Sequence, residues 1–344
     1  MERRSSRQAE PKVSAPQSFT EAVEPYREAL QEYFSSKRAE GSPLSEAIAG
    51  IIDAGGKRLR PVIAMLVCEA VSGSFEKALP VAAAFELAHS ASLIQDDIID
   101  ESAVRHGQMA THKKYGETKA ILISDMMIFE IFLELAKYGG SGMSATRLAK
   151  LSSYIGNSAK FTAEGEFFDS ILAEKGSATE EEYVKLAELK TGSLFAAAAA
   201  CGAIAGRGTL KQVNASYQFG RNLGISFQIR DDILDIVGNE EATGKPLLKD
   251  LQNNASNMVL IHALSHADNY QKQSIHSMLY KKWFALQEIQ ALMKTLDQLG
   301  SIDHSNAVER NYAAAAKKAL EALPASAARS KLEQLTEGLG SRTK

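Results

Sequence analysis

Apolar and small residues recur at three- and four-residue intervals along most of the chain. Val81, Ala84, Phe85, Ala88 and Ser92, for example, share one face. That spacing predicts amphipathic helices. Alternating β-branched runs bounded by Asn-Gly or Asp-Gly turns do not recur, so strands are not predicted. Prolines stand at 11, 16, 25, 43, 61, 80, 246 and 324, leaving the whole stretch between Pro80 and Pro246 without one. Because proline costs about 3 kcal/mol inside a helix, that stretch is open to long helices. Breaks fall at Gly55-Gly56, Ser72-Gly73, Gly139 to Gly142, Gly206-Arg207-Gly208 and Gly238 to Gly244. No Pro/Ser-rich linker separates two halves, and no long repeat is apparent. The pattern predicts an all-α, single-domain helical bundle over residues 19–344, preceded by a flexible tail at 1–18.

Composition narrows the function classes. The chain has 344 residues, 45% hydrophobic and 24% charged, which is enough apolar material for a substantial core. With 39 basic and 42 acidic side chains the net charge is −3. A dedicated nucleic-acid binder needs a net basic face, so no nucleic acid is expected as partner. Two cysteines, Cys68 and Cys201, cannot form a disulfide framework and fit a reducing compartment. The longest apolar run, Leu194 to Ala205, is too short to span a bilayer. The first residues lack the apolar stretch of a signal peptide. No membrane span and a cytoplasmic location are expected.

Two segments carry the candidate chemistry. Ser92-Leu-Ile-Gln-Asp-Asp-Ile-Ile-Asp100 holds Asp96, Asp97 and Asp100, and Phe227-Gln-Ile-Arg-Asp-Asp-Ile-Leu-Asp235 holds Asp231, Asp232 and Asp235. In each, the first and last carboxylates lie at i and i+4 on one helix face. A solvated acidic edge or a helix cap explains one Asp pair. Two identical triplets flanked by apolar residues are harder to explain, since carboxylates about 6 Å apart repel by roughly 3 kcal/mol at an effective dielectric of 20. They call for cations. All-oxygen donors spaced four apart suit Mg²⁺ shared with substrate phosphates, with Mn²⁺ as a substitute. The glycine and distal glutamate of an EF-hand are missing. A di-iron bundle needs two Glu-x-x-His motifs, and only Glu86-Leu-Ala-His89 occurs.

Magnesium held by few protein ligands implies an anionic substrate, and basic residues are present to receive it. Gly55-Gly-Lys-Arg-Leu-Arg-Pro61 sets Lys57 and Arg60 beside two glycines, without the pattern of a Walker loop. His89 lies two turns before Asp96 on the same face. Arg105 and His106 follow the first triplet, Lys190-Thr191 precedes an alanine-rich run, Gln228 lies one turn before Asp231, and Lys245 sits in Gly-Lys-Pro. Each is weak alone. Together they describe acidic helices facing basic loops, a site for diphosphates bridged by Mg²⁺.

At these residues the chain resembles the all-trans isoprenyl (polyprenyl) diphosphate synthases. The matching segments are GGKRLRP at 55–61, ELAHSASLIQDDIIDESAVRHG at 86–107, KTGSLF at 190–195, FGRNLGISFQIRDDILDIVG at 219–238 and GKPLLKDL at 244–251. The resemblance implies a helical homodimer with the active site in a central cavity of each subunit. It also implies head-to-tail condensation of isopentenyl diphosphate with an allylic diphosphate. By position, Asp96, Asp100 and Asp231 would hold three Mg²⁺, with Asp97, Asp232 and Asp235 in support. Arg105, Lys190 and Lys245, with Thr191 and Gln228 nearby, would bind the allylic diphosphate. Lys57, Arg60 and His89 would bind that of isopentenyl diphosphate.

The chain departs from the family at His106, where a second arginine is usual, and at Gln95, Glu166 and Asn254-Ala255. A histidine titrates near pH 6.5 and is a weaker phosphate partner. In the family the residues one turn before the first triplet set product length. Ala91 and Ser92 stand there, with Ala88 a turn further down, and all three are small. A product of C20 (geranylgeranyl) or longer is expected, with Phe85 or Phe129 and Phe132 as a floor. Two alternatives are a class I terpene cyclase, against which Lys57, Arg60 and His89 speak, and a non-catalytic subunit of a heteromeric synthase, against which all six aspartates speak.

Overall fold

The small and apolar run SLFAAAAACGAIA can bury every side of a helix, and in the computed structural model the helix Ser193–Ala205 is buried at each position. The structure describes residues 19–36, 42–105, 107–238, 248, 251, 256–279, 281 and 284–340. The first helices are α1 (Phe19–Ser35), α2 (Pro43–Asp53), α3 (Leu59–Ser72) and α4 (Leu79–Ile99). They are followed by α5 (Thr111–Tyr115), α6 (Glu117–Ala136), α7 (Ala145–Lys175) and α8 (Glu180–Ala187). A π-helical turn, Glu188–Gly192, leads into α9 (Ser193–Ala205) and then α10 (Leu210–Val237). The last are α11 (Met258–His266), α12 (Asn269–His276), α13 (Leu286–Gln298), α14 (Ser301–Leu320) and α15 (Ala327–Gly340).

The boundaries follow local chemistry. Pro43 and Pro80 occupy the first positions of α2 and α4, where a missing N–H costs nothing. Gly73 closes α3 in the left-handed region at φ 77°. Capping boxes start α8 (Thr179 with Glu182) and α10 (Thr209 with Gln212). Pro25 is the exception, lying inside α1. The sequence predicts no strand, yet a short antiparallel pair, Val104–Arg105 with Gln108–Met109, follows the first aspartate triplet. Two residues per strand are too few to leave a period in the sequence.

Helix α9 is the axis. α3, α7 and α10 pack along it, α4 packs on α6 and α9, and α14 runs beside α10. Close approach depends on glycine. A Cβ at Gly202 would overlap the backbone of Ala64, one at Gly220 the backbone of Phe195, and one at Gly224 would lie 2.6 Å from the Cα of Gly192. A second buried cluster joins Ile229, Ile233 and Ile236 of α10 to Leu260 of α11 and Leu296 of α13.

α4 and α7 flank α9 but scarcely approach each other. Residues 81–87 of α4 are all buried, whereas Ala88 and Ser92 further along stay partly accessible. A cleft of about 400 Å³ opens between α7, α9 and α10, lined by Tyr154, Phe161, Ser193 and Tyr217 among others. Among the described residues no helix is long and apolar enough to cross a membrane.

The glycine contacts give a paired prediction. Gly220→Ala should lower stability by about 1–3 kcal/mol, because backbone cannot move aside as a flexible side chain can. Gly50→Ala, inside α2 with nothing within 4 Å, should raise it by about 0.5–1 kcal/mol. Equilibrium urea unfolding of both variants checks this, and equal effects would contradict the close α9–α10 contact.

Candidate active site

Helical geometry turns adjacent aspartates about 100° apart, so Asp96 and Asp97 cannot face the same way. Asp97 points inward at 2% exposure and accepts a 2.9 Å hydrogen bond from Arg105 Nε, with a second from the same guanidinium. Asp96 is half-buried and Asp100 exposed. The second triplet repeats the division. Asp232, also 2% exposed, accepts bonds from the Met258 N–H at 2.8 Å and Gln228 Nε2 at 3.1 Å. Asn257 Nδ2 donates to its backbone carbonyl at 3.2 Å. Asp231 and Asp235 are half-buried. In each motif the middle carboxylate is engaged inside the fold and the i, i+4 pair is turned outward.

The basic residues meet these carboxylates from several elements. Arg60 enters from the first turn of α3 and stacks over the Phe195 ring at 4.7 Å. Burial lowers its pKa to about 10, and the charges of Glu86, Asp96 and Asp231 act in the opposite direction. The charges of both aspartate motifs, 135 residues apart in sequence, thus act on one guanidinium. Lys190 sits on the π-helical turn and pairs with Asp169 at 2.8 Å and Glu166 at 3.0 Å, both on α7. Burial works against its ammonium, but these two carboxylates outweigh it and hold the pKa above that of an ordinary lysine. The Thr191 hydroxyl donates to Gln228 Oε1 at 2.9 Å, so the turn carrying Lys190 is tied to α10 one turn before Asp231. Lys57 is exposed, and His89 is half-buried on α4.

Asp96 carries the clearest electrostatic signature. Burial, then the charge of Glu166, push its carboxyl up to about 7, against the pull of Lys190 and Arg105. A half-buried acid beside other acids, with too little positive charge nearby, is a place that favours a cation. Among the described residues no three acidic, histidine or cysteine side chains converge tightly enough to enclose an ion. Carboxylate oxygens are the donors that suit a hard divalent ion.

Of the residues expected from sequence, Asp96, Asp231, Arg60, Arg105, Lys190, Thr191 and Gln228 gather around this region. Thr191 donates to Gln228, Gln228 donates to Asp232, and Arg105 is engaged with Asp97. His106, Lys245, Asn254 and Ala255 lie outside the described residues. Phe129 and Phe132 do not floor a cavity within the chain. They are 66% and 64% exposed on the outer face of α6, because the inward row of that helix is taken by Ile123, Ser124, Met127 and Ile131. Sequence reasoning passed over Asp169, Phe195 and the contact of Glu86 with Arg58. The i, i+3 spacing of Glu166 and Asp169 was a readable sign of a shared face, but nothing in it indicated Lys190 as their partner.

A family model described as polyprenyl synthetase matches residues 42–296. The chain is 35% identical over 294 residues to a short chain isoprenyl diphosphate synthase of Methanothermobacter thermautotrophicus, covering 86% of this chain and 89% of the relative. It is 34% identical to a geranylgeranyl diphosphate synthase of Methanosarcina mazei, covering 81% and 84%. The solved geranylgeranyl pyrophosphate synthetase from Pyrococcus horikoshii superposes with a TM-score of 0.88 at 31% identity, covering 94% of this chain and 98% of that one.

The raised Asp96 predicts a proton-coupled metal site. In metal-free protein its contribution to stability is full below the ordinary carboxylate pKa of 3.8 and is lost as pH rises through about 7. A divalent cation reverses that loss, so the gain in Tm on adding Mg²⁺ should be larger at pH 8 than at pH 6. Calorimetric titration in buffers of different ionisation enthalpy should register proton release near pH 7. A gain independent of pH would contradict the assignment.

Proposed function

The chain belongs to the polyprenyl synthetase family and is a trans-prenyltransferase, and from that premise we propose that it condenses isopentenyl diphosphate head-to-tail with an allylic diphosphate. The observation that carries this reading is that the charges of Asp96 and Asp231, one from each motif, both act on the half-buried Arg60, while Lys190 and Arg105 both act on Asp96. A terpene cyclase does not need a second, cationic diphosphate site on the far side of its aspartates.

Lys190 and Arg105, with Lys245, would hold the allylic diphosphate. Lys57, Arg60 and His89 would hold that of isopentenyl diphosphate. Asp96 and Asp100 facing Asp231 and Asp235 are the residues that would hold Mg²⁺, which supplies positive charge for the diphosphate leaving group. Asp97 and Asp232 act behind them, one fixing Arg105 and the other fixing the start of α11. In the reaction the allylic C–O bond breaks and its electron pair leaves with diphosphate. The double bond of isopentenyl diphosphate attacks the resulting cation, and the proton lost afterwards passes to the released diphosphate. Lys190 and Arg105 face the charge that develops on the leaving group, where fixed cations in a water-poor cavity lower the barrier most. No nucleophilic side chain is required.

Ala88, Ala91 and Ser92 bear on product length. They are small, so no bulky side chain stands there to stop a growing chain, which supports a product of C20 or longer. The exposed apolar residues Ile121, Leu122, Phe129, Phe132 and Leu133 of α6 and Phe167 and Ile171 of α7 support a homodimer. A face this apolar is more than a monomer ordinarily shows to water.

Two experiments test these readings. With Mg²⁺, labelled isopentenyl diphosphate and dimethylallyl, geranyl or farnesyl diphosphate, the label should enter a linear all-trans product of C20 or longer. Asp231→Ala should reduce kcat at least about 100-fold with an unchanged circular dichroism spectrum, and Ser92→Phe should shorten the product. A cyclic hydrocarbon formed without isopentenyl diphosphate would overturn the proposal. For the assembly, analytical ultracentrifugation should give a dimer, and Phe129→Asp a monomer. A variant that stays dimeric would move the interface elsewhere.

A further inference from the structure

The turn that carries Lys190 is not α-helical. Across Glu188–Gly192 the chain forms one turn of π-helix, and the Ser193 N–H reaches back five residues to the Glu188 carbonyl. Such turns are rare inside helical runs and often mark functional sites. A turn that helices seldom adopt by themselves needs support from its neighbours.

α10 supplies that support from a single face. Arg221, Gly224 and Gln228 stand at i, i+3 and i+7, and so form one row along the helix. Arg221 Nε donates to Glu188 Oε1 at 2.6 Å, and its Nη2 donates to Oε2 at 2.5 Å. This two-pronged pair fixes direction as well as distance. Gly224 admits the backbone of Gly192, and a Cβ on Gly192 would stand 3.3 Å from the Arg221 carbonyl. Gln228 accepts the Thr191 hydroxyl at 2.9 Å. The row thus grips the turn on both sides of Lys190.

Lys190 itself pairs with α7, through Asp169 at 2.8 Å and Glu166 at 3.0 Å. The turn lies close against that helix too, since a Cβ on Gly165 would come within 2.9 Å of the Lys190 backbone nitrogen. The two sets of contacts differ in what they can do. A diphosphate that pairs with Lys190 competes with Asp169 and Glu166 for the same ammonium. The bonds of Glu188 and Thr191 to α10 use no group that such a substrate needs.

We propose that Arg221 is a positioning residue for the allylic diphosphate: through its paired bonds to Glu188 it fixes the π-helical turn on α10, so that Lys190 keeps its place when substrate competes with Asp169 and Glu166. This rests on the reading that Lys190 binds the allylic diphosphate. Arg221 and Glu188 are 29% and 36% exposed, so solvent screens the pair and its effect is moderate.

The test is steady-state kinetics of Arg221→Gln, with farnesyl diphosphate and isopentenyl diphosphate varied in turn. kcat/KM for farnesyl diphosphate should fall about fivefold, while KM for isopentenyl diphosphate stays within about twofold. Glu188→Gln should give the same split. Arg221→Lys, which keeps the charge and loses the fork, should lie between wild type and Arg221→Gln, and serves if the latter does not fold. In a Lys190→Gln background, Arg221→Gln should lower kcat/KM no further, because it acts through Lys190. An unchanged kcat/KM for farnesyl diphosphate in Arg221→Gln, or an equal loss toward both substrates, overturns the role of Arg221 while Lys190→Gln remains impaired. An unimpaired Lys190→Gln overturns the reading beneath it.

Discussion

Carboxylates brought together from distant parts of a chain repel, and the site is built by offsetting that repulsion without cancelling it. Asp96 and Asp231 come from α4 and α10, which pack against the same helix, α9. Full neutralisation by protein cations would leave no place for metal or substrate. None at all would leave acids that cannot stay ionised when half-buried. The molecule lies between these limits. Arg60, Lys190 and Arg105 approach the aspartates from three directions, and each is already held by another group: the Phe195 ring, Asp169 and Glu166, and Asp97 respectively.

Each Asp-Asp-x-x-Asp motif thereby does two jobs. The middle aspartate is a structural anion, satisfied by Arg105 in one case and by a helix N-terminus with Gln228 in the other. The outer two are more accessible. This division explains why two adjacent aspartates sit in an otherwise apolar helix: one belongs to the fold and the other to the chemistry. It also links the motifs to the segments after them, since Arg105 lies on the short hairpin and Met258 opens α11.

The arrangement requires a thin axis. Seven of the thirteen residues of α9 are alanine, so α3, α4, α7 and α10 can pack against it and bring Arg60, Asp96, Lys190 and Asp231 toward one region. The glycines at 202, 220 and 224 remove the side chains that would hold backbones apart. The π-helical turn before α9 carries Lys190 toward α7, where Gly165 gives it room.

The helical class, the two aspartate triplets and the Gly-Gly-Lys-Arg segment were legible in the sequence, because they rest on periodicity and spacing along one element. The short hairpin at 104–109 was not, being too brief to leave a pattern. Nor were the partners of Lys190 and Arg60, which come from α7 and α9. Phe129 and Phe132 show the same limit from the other side: helical spacing says which residues share a face of α6, but not whether that face looks inward. The one-dimensional pattern thus determined which residues could act together on a single helix. Only the tertiary packing decided which charges stand opposite one another, since electrostatic energies depend on distance and burial that the order of residues does not contain.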